Sequence, residues 1–547
     1  MKHNRHRIRN ECPTVRRAFR RRKESVDCSR REFIRYLTAL GAGLASARGE
    51  AVSASVPPLR ATLRLDPNDR LGTIDPRIYG GFIEHMGRCI YDGIYEEGSP
   101  LSDQDGNRKD VLEAVRNLHI TQLRWPGGNF ASGYHWQDGI GPKNSRPERF
   151  NLAWAQPESH RFGTDEFMIT CRKLRTEPYL CLNMGTGTMD EAAGWVEYCN
   201  HEGGTYLSDL RKKNGHPRPH GVKLWALGNE IFGDWQIGRK NLQQYSEDAL
   251  EFAKAMKAVD PSIALVACGS GDPAWDRPML EALVHQVDFV SEHYYAEVDE
   301  LRDYYEILGS VAEMEALIRS SASTAETISA KARKPQPITV ALDEWNIVYN
   351  LADGHRRGSV HKDEFSYNLR DALWVASALN CLHRNCSQVR IANLAQLVNV
   401  LAPIFTTQSG ILLRTIFYPL KLYASRSGNV ALNVTVDCPV FETKRFGPRP
   451  YLDVSANYDE EQQRIALSVV NRHQDADVIG AIEIKGMDPR GKRGFIITGA
   501  DLDAQNTLAR PEAVRIQEFN FRTTSTTSLE HRFPKHSISW LEFAPAG

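Results

Sequence analysis

The chain of 547 residues carries 68 Lys and Arg side chains against 68 Asp and Glu, so its formal net charge at pH 7 is zero. That length exceeds what one hydrophobic core usually holds, which predicts two folded domains plus tails. A neutral molecule has no general attraction for polyanions, so nucleic acid is excluded as a partner. The ten cysteines show no C-x-x-C spacing, which argues against zinc fingers and disulfide scaffolds.

The N-terminal segment is basic and has the order of an export signal. An arginine pair, Arg30-Arg31, precedes a weakly apolar run at 36–44 and the small residues Ala45-Ser46-Ala47. This order resembles a twin-arginine signal, so residues 1–55 are predicted to be a leader outside the fold of an exported protein, periplasmic or extracellular. The alternative is a basic disordered tail on a cytoplasmic protein. The apolar run falls short of the roughly 20 residues that cross a bilayer, so no membrane span is predicted.

Beyond the leader, short apolar runs alternate with helical patterns. Residues 56–75 hold an alternating run, Leu59–Leu65, which predicts a strand that joins an accessory sheet. From 76 to 410, eight apolar runs separated by amphipathic helices predict a (β/α)8 barrel. The predicted strands are Ile78–His85, Gln122–Gly127, Pro178–Gly185, Val222–Glu230, Ala264–Ser270, Phe289–Tyr295, Ile338–Asn346 and Val389–Gln396. The predicted helices include Arg108–Leu118, Thr164–Leu174, Leu242–Val259, Arg277–Val287 and Phe365–Cys381.

After residue 410 the pattern changes to strands linked by turns, with almost no helical periodicity. Runs of strand type occur at Val430–Val436, Tyr451–Ala456, Arg464–Val470 and Ser537–Phe543. Residues 411–547 are therefore predicted to form a β-sandwich. The predicted fold class is α/β, a (β/α)8 TIM barrel with a C-terminal all-β sandwich domain.

Two of the predicted barrel strands end on a glutamate. Glu230 closes the fourth run and Glu344 lies at the end of the seventh, where parallel α/β barrels place their catalytic groups. A lone glutamate at a strand end is more often a solvated charge. Two at one rim, however, match the need of glycosidic bond cleavage for one carboxyl group that protonates the leaving oxygen and another that attacks or stabilises the anomeric carbon.

The other strand ends add polar side chains to the same rim. Glu84 follows the first strand, Asn129 the second, His293 and Tyr295 the sixth, and Gln396 the eighth. Such groups suit a neutral polyhydroxylated ligand, although hydrogen bonding within the core is an equal alternative for each of them alone. No His-x-His ends the first strand and no HExxH occurs, so we predict no metal and no cofactor.

Two loops have a composition that favours contact with a ligand. The segment Tyr134–His160 carries Trp136, Phe150 and Trp154 among Gly and Pro, so its aromatic rings are predicted to stack on sugar or, alternatively, to pack over the barrel. The Gly- and Arg-rich segment Tyr349–Lys362 is predicted to be a movable loop.

Seven stretches together resemble glycoside hydrolase family 51, the α-L-arabinofuranosidases. They span the whole predicted barrel. They are GGFIEHMGRCIYDGIYEEGSP at 80–100, LRWPGGNFASGYHWQDGIGP at 123–142, FGTDEFMITCRKL at 162–174, NMGTGTMDEAAGWVEYCN at 183–200, LWALGNEIFGDWQIG at 224–238, LDEWN at 342–346 and NLAQLVNVLAPI at 393–404.

This resemblance implies a retaining mechanism in which Glu230 is the acid/base and Glu344 the nucleophile. The two carboxyl groups are then expected about 5–5.5 Å apart. The resemblance assigns the remaining site residues as follows: Glu84, Asn129 and Asn229 to the furanose hydroxyls, Gln396 to the hydroxymethyl end, Tyr295 to the orientation of Glu344, Arg124 to its charge, and His293 to a place beside it.

The resemblance further implies an exo-acting enzyme that releases terminal arabinofuranosyl residues from arabinoxylan, arabinan or their oligosaccharides, and a homo-oligomeric assembly. Two alternatives stay open. One is a same-clan endo-β-glucanase or β-xylosidase with the same glutamate pair. The other, of a different class, is a catalytically inactive carbohydrate-binding barrel.

Overall fold

A computed structural model describes residues 57–349, 364–485, 490–521 and 529–544. The predicted leader at 1–55 and nearly all of the predicted movable loop Tyr349–Lys362 lie outside these residues. Among the helices of the described residues, none has both the length and the apolar character needed to cross a bilayer.

The described residues form twenty-three strands. The first thirteen are β1 (Leu59–Thr73), β2 (Gly80–Phe82), β3 (Gln122–Trp125), β4 (Arg149–Asn151), β5 (Gln156–Glu158), β6 (Glu177–Cys181), β7 (Leu224–Leu227), β8 (Ala264–Cys268), β9 (Phe289–Glu297), β10 (Thr339–Val348), β11 (Val389–Ala395), β12 (Ile404–Thr407) and β13 (Gly410–Leu413). The others are β14 (Val430–Asp437), β15 (Val440–Phe441), β16 (Arg449–Pro450), β17 (Leu452–Asp459), β18 (Arg464–Asn471), β19 (Val478–Ile484), β20 (Arg490–Thr498), β21 (Arg515–Phe519), β22 (Leu529–Phe533) and β23 (Ser537–Ala544).

Eight parallel strands close into a barrel in the order β10-β11-β2-β3-β6-β7-β8-β9. Each of the eight predicted strands overlaps one of them, so the predicted TIM barrel is confirmed. The interior is filled by side chains such as Tyr179, Val266 and Ile391, which form a separate buried cluster inside the ring. The filled interior leaves the strand ends as the place for a site.

Helices surround the barrel. In chain order they are α1 (Lys109–Asn117), α2 (Thr164–Leu174), α3 (Met189–Asn200), α4 (Tyr206–Lys213), α5 (Leu242–Val259), α6 (Pro273–Leu283), α7 (Val298–Leu301), α8 (Tyr304–Gly309), α9 (Val311–Lys331), α10 (Leu369–Arg384) and α11 (Phe417–Arg426). The bounds of α2 and α5 agree with the predicted ones. Helix α5 starts at a capping box in which the side chains of Asn241 and Gln244 each accept from the other's backbone N–H.

The other helices differ from the prediction. Helix α10 runs over Leu369–Arg384 and not over the predicted Phe365–Cys381, and α1 is one residue shorter at each end. Helix α6 begins at Pro273, earlier than the predicted Arg277, because the Asp272 carboxylate accepts from the Ala274 N–H and proline suits the first turn. Helix α11 lies beyond residue 410, inside the segment predicted to be pure sandwich. Its Tyr423 hydroxyl donates to Asn380 Oδ1 on α10 at 2.8 Å, so α11 packs against a barrel helix.

Nine strands form the C-terminal sheet, in the order β21-β20-β23-β18-β17-β14-β1-β19-β22. Strand β1 pairs with β14 and β19, so the segment before the barrel belongs to this sheet. The rings of Phe519 on β21 and His531 on β22 stack at 5.7 Å, which brings the two edge strands together. The sheet therefore curls into the predicted β-sandwich around side chains such as Leu63, Leu467 and Phe533.

The sandwich is joined to the barrel by buried polar contacts. Asn380 and Arg384 on α10 both donate to Asp453 Oδ1 on β17, at 2.9 and 3.0 Å. The β15–β16 hairpin reaches in the other direction, since the Glu306 carboxylate accepts from the Lys444 N–H and Arg445 extends to the wall of the cavity described below. The sandwich thus takes part in forming the rim of the barrel.

Candidate active site

A cavity of about 500 Å³ opens where the barrel strands end. Seven of the nine predicted site residues line it, namely Glu84, Asn129, Glu230, His293, Tyr295, Glu344 and Gln396. The other two, Arg124 and Asn229, are buried directly behind this wall. Further lining residues that the sequence did not single out include Trp235, Glu300 and Arg445.

Glu344 is held from two sides by donors to its two oxygens. Arg124 Nη1 lies 2.7 Å from Oε1, and the Tyr295 hydroxyl donates to Oε2 at 2.7 Å. Arg124 is fully buried and its Nη2 donates to Asn229 Oδ1 at 2.6 Å. A buried guanidinium and a hydroxyl that each hold one oxygen fix the Glu344 carboxylate in a single orientation.

Asp343, the residue before Glu344, forms a second buried carboxylate in the same network. It accepts from the hydroxyls of Tyr179 at 2.7 Å and Ser291 at 2.5 Å. Burial opposes ionisation, but Arg124 and His293 outweigh it and lower the pKa of Asp343 to about 2. Asp343 therefore helps to hold Arg124 charged and in place beneath Glu344.

The backbone explains how two consecutive acids reach one network. Neighbouring side chains of a regular strand point to opposite faces. The pairing of β10 with β9 shifts register between Ala341 and Glu344, and its pairing with β11 shifts between Leu342 and Trp345. Such a bulge redirects side chains, so both carboxylates approach the same arginine.

Glu230 follows β7 and is placed by an unusual backbone. Gly228 has φ +86° and Glu230 has φ +41°, a left-handed conformation that costs a non-glycine residue about 1 kcal/mol or more. A Cβ at Gly228 would lie 2.8 Å from the side chain of Met184, so glycine is required there for space as well. The strained turn directs the Glu230 carboxylate into the cavity.

Two side chains on the cavity wall contact Glu230. Trp235 Nε1 donates to Oε2 at 2.8 Å, and His293 Nδ1 lies 2.8 Å from Oε1. His293 Nε2 in turn lies 3.3 Å from Asp343 Oδ1. Burial alone lowers the pKa of His293, but Glu344, Asp343 and Glu230 outweigh it and raise the pKa well above its usual value.

The two catalytic candidates are close together. One oxygen of Glu230, one of Glu344 and a ring nitrogen of His293 all lie within 4.8 Å of one another. Three such atoms match the ligand set of a divalent metal. Because both nitrogens of His293 face carboxylates, however, a protonated imidazole fits the position better than a metal ligand does.

Glu84 anchors the opposite side of the cavity. Its Oε1 accepts from the Phe130 N–H at 2.9 Å and from Trp154 Nε1 at 3.0 Å, and Gln396 Nε2 lies 3.5 Å from Oε2. Burial raises the pKa of Glu84 to about 8, the charge of Glu344 adding to the effect while Phe130 and Trp154 oppose it. The raised pKa favours the neutral form of the Glu84 carboxyl group near neutral pH.

The aromatic residues of the Tyr134–His160 loop take different places. Trp154 lines the cavity, whereas Trp136 is buried and donates to the Glu191 carbonyl at 2.9 Å. Phe150 is 64% exposed and lies on a neighbouring cavity. Of the three rings, only Trp154 is positioned to contact a molecule bound between Glu230 and Glu344.

Comparison with known proteins agrees with this geometry. The family model described as "Alpha-L-arabinofuranosidase 1 domain" matches residues 114–312, and that described as "Alpha-L-arabinofuranosidase C-terminal domain" matches residues 343–537. The second match begins within β10, so it includes the end of that strand, all of β11 and most of the sandwich.

Relatives match over nearly their full length. Alpha-L-arabinofuranosidase C of Emericella nidulans is 39% identical, over 88% of this chain and 97% of the relative. Intracellular exo-alpha-(1->5)-L-arabinofuranosidase 1 of Bacillus subtilis is 41% identical, over 83% and 93%. The structure of the GH51 alpha-L-arabinofuranosidase from Thermotoga petrophila superposes with TM-score 0.81 at 40% identity, over 88% of this chain and 99% of that one. The chain belongs to glycoside hydrolase family 51, the α-L-arabinofuranosidases.

Proposed function

We propose that this protein is a retaining, exo-acting α-L-arabinofuranosidase in which Glu230 is the acid/base and Glu344 the nucleophile. The observation that carries the proposal is the pair of carboxylates in one cavity, with one oxygen of Glu230 within 4.8 Å of one oxygen of Glu344. Retaining glycosidases hold their carboxyl groups about 5–5.5 Å apart, whereas inverting ones leave about 6.5–9.5 Å for a water. The short separation supports direct attack by a carboxylate.

In the first step, the carboxyl group of Glu230 gives its proton to the glycosidic oxygen. The bond between that oxygen and the anomeric carbon breaks, the remainder of the substrate leaves as an alcohol, and an oxygen of Glu344 bonds to the anomeric carbon. Arg124 and Tyr295 support this step because each holds one Glu344 oxygen at 2.7 Å and fixes the direction of attack.

In the second step, the carboxylate of Glu230 removes a proton from water, whose oxygen attacks the anomeric carbon. The ester bond to Glu344 breaks, arabinose leaves with the anomeric configuration of the substrate, and both glutamates regain their starting states. The His293 ring contacts Glu230 at 2.8 Å and lies 3.5 Å from Glu344, so it supports both charge states of the pair.

The remaining predicted roles concern the sugar itself. Glu84, Asn129 and Gln396 line the cavity and are proposed to hold the furanose hydroxyls and the hydroxymethyl end. Asn229 is assigned to the hydroxyl next to the anomeric carbon. Its Nδ2 is buried and makes no hydrogen bond within the described residues, which fits a donor that meets its partner on the substrate.

The proposed substrates are arabinoxylan, arabinan and their oligosaccharides, cleaved at terminal arabinofuranosyl residues. Support comes from the Bacillus subtilis relative, whose name specifies an exo-acting enzyme on α-(1->5)-linked arabinofuranosyl units. On one side of the catalytic pair, Glu84, Trp154 and Gln396 form a continuous wall, as a pocket for a single terminal unit requires.

A substrate panel with product analysis tests the proposal. We expect hydrolysis of aryl α-L-arabinofuranoside and of arabinan oligosaccharides, with the α-anomer as the first product in proton NMR. A preference for β-xylosides or internal β-glucan bonds would favour the same-clan alternative. Binding of arabinose oligomers without turnover of any glycoside would favour the inactive binding barrel.

We further propose that residues 1–55 are a twin-arginine-type leader and that the mature protein is a homo-oligomer. The Arg30-Arg31 pair and the apolar run at 36–44 support the leader, whereas the relative from Bacillus subtilis is named intracellular. Mass spectrometry of the mature N-terminus in fractionated cells tests export. Light scattering of the purified protein tests assembly, and a single-chain mass would contradict it.

A further inference from the structure

A second cluster of metal-binding side chains lies outside the catalytic cavity. Asp165 is in the first turn of α2, and His216 and His220 lie in the segment that joins α4 to β7. One carboxylate oxygen and one nitrogen from each ring lie within 4.8 Å of one another. None of the three lines the cavity that holds Glu230 and Glu344.

The distances in this cluster suit a tetrahedral metal. His220 Nε2 lies 3.0 Å and His216 Nε2 lies 3.6 Å from the same oxygen, Asp165 Oδ1. Zinc binds imidazole nitrogen and carboxylate oxygen at about 2.0–2.2 Å, which places neighbouring tetrahedral ligands about 3.3–3.5 Å apart. The two measured distances bracket that value, so small shifts admit the ion. The H-x3-H spacing of His216 and His220 also occurs in zinc sites.

The ligands are supported by a surrounding network. Asp165 Oδ2 accepts from the Tyr198 hydroxyl at 2.8 Å, and Asn214 Nδ2 donates to Tyr198 at 3.1 Å. The His216 carbonyl accepts from Arg211 Nε at 3.1 Å. Metal sites typically have such supporting partners, which orient the ligands before the ion arrives.

Access and coordination are available on one side. The side chains of Asp165 and His220 are 5% and 2% exposed, whereas that of His216 is 19% exposed. Both histidines line a cavity of about 530 Å³ that opens to solvent. Three protein ligands with one open side leave the fourth position to water.

One neighbour favours the metal-free arrangement. Arg172 Nη1 lies 3.5 Å from His220 Nδ1, so that nitrogen acts as an acceptor and Nε2–H donates to Asp165. Metal on Nε2 requires the proton on Nδ1, and the arginine must then turn away. Arg172 is exposed on α2, which permits that movement.

We propose that Asp165, His216 and His220 form a zinc site, completed by one water, that fixes the segment leading into β7. The sequence predicted no metal, because zinc-finger spacing and the HExxH motif are both missing, and a site at these three residues would depart from that prediction. Its ligands are imidazole and carboxylate, which bind zinc and cobalt(II) in tetrahedral geometry. Zinc here would fasten α2 to the segment that precedes the strand carrying Glu230.

Cobalt(II) titration of the full-length protein, followed by visible absorption, tests the proposal. We expect one equivalent to give the intense bands of tetrahedral cobalt and zinc to displace it. His216→Gln should weaken binding by at least about 100-fold, and Tyr198→Phe by about tenfold, the effect of removing a supporting partner. Arg172→Gln should strengthen binding. The matched control is His285→Gln, an exposed histidine elsewhere, which should bind as the wild type does.

The catalytic cluster is the competing place for the metal. Glu230→Gln should keep the tetrahedral cobalt bands if the ion sits at Asp165. Loss of the bands in Glu230→Gln, or their survival in His216→Gln, would overturn the proposal. Zinc should also raise the midpoint of thermal unfolding of the wild type and leave that of His216→Gln unchanged. An equal rise in both proteins would contradict the site.

Discussion

Glu344 and Glu230 face the same cavity from contrasting surroundings. Around Glu344, which is 7% exposed, Arg124, Asp343 and Tyr295 form a buried network of charges and hydrogen bonds. Glu230 is 18% exposed and its contacts, His293 and Trp235, lie on the open wall. The difference is that Glu344 is held in one position by donors to both of its oxygens, whereas the contacts of Glu230 come from side chains that line the open cavity.

Removing each carboxylate should give the largest and most unequal effects. Glu344→Gln should lower kcat by at least about 10⁴-fold on every substrate because no covalent intermediate can form. Glu230→Gln should lower it by about 10²–10⁴-fold on oligosaccharides. With an aryl leaving group that needs no proton, the decrease in kcat caused by Glu230→Gln should be smaller. Steady-state kinetics on both substrate types measures this, and equal leaving-group dependence in the two variants would contradict the assignment.

Arg124→Met should disrupt the buried network around Glu344. It removes the guanidinium that pairs with Asp343 and Glu344 and leaves only His293 as a cation beside them, and breaking a buried ion pair typically costs about 3–5 kcal/mol of unfolding free energy. Because the pKa of Asp343 is lowered to about 2, its stabilising contribution is present above its ordinary pKa of 3.8 and is lost as pH falls through about 2.

Denaturant unfolding at several pH values checks this prediction. In Arg124→Met, the contribution of Asp343 should disappear at a higher pH than in the wild type. Arg124→Lys is the matched control, since it keeps the charge but loses one of the two short contacts. An Arg124→Met protein as stable as the wild type at pH 6 would show that the network is not held by this cation.

Removing one hydrogen bond to Glu344 and one to Glu230 should have different effects on kcat. Tyr295→Phe removes a donor to Glu344, and hydrogen bonds to charged groups contribute about 1.5–3 kcal/mol, so kcat should fall by about 10–100-fold. Trp235→Phe removes a donor to Glu230, but Trp235 is 51% exposed and water replaces it. Its kcat should fall less than about tenfold. The reverse order in kinetic measurements would contradict the account.

Glu84 gives the smallest effect, on binding. Its pKa of about 8 makes it a hydrogen-bond donor to sugar at neutral pH, so KM should rise as pH passes 8. Since that pKa lies above the ordinary 4.5, its contribution to stability is full below 4.5 and is lost as pH rises through about 8. Glu84→Gln stays neutral and should show a flat KM over this range. A parallel rise in both proteins would place the titration elsewhere.

The barrel was predictable because its signals are local. Buried strands appear in the sequence as apolar runs, and eight such runs predicted the barrel. Because Glu230 and Glu344 each end one of these runs, the sequence also placed them at the same rim. Helix α11 was not predicted because it lies after residue 410, where the sequence pattern changes to strands. Part of its apolar face packs on a barrel helix. Asp343 was not predicted as part of the site because neighbouring side chains of a regular strand point to opposite faces. The bulge that directs it to the same network as Glu344 depends on the pairing of β10 with β9 and β11.

The rim residues Trp235 and Arg445 could be identified only from the folded structure. Trp235 follows Glu230 closely in sequence, but its contact with the carboxylate depends on the strained turn at Gly228 and Glu230. Arg445 reaches the cavity from the sandwich, and no local sequence pattern predicts that position. Trp154 was singled out with two other aromatic residues of its loop, and only the structure separates it from Trp136.

The most direct test of the account is to trap the glycosyl-enzyme. A 2-fluoro arabinofuranoside with a good leaving group forms the ester quickly and releases it slowly, so peptide mass spectrometry can locate the sugar. We predict one arabinofuranosyl adduct per chain, on the peptide that contains Glu344 and on that side chain. An adduct on Glu230 or another residue, or turnover with inverted product and no adduct, would contradict the account.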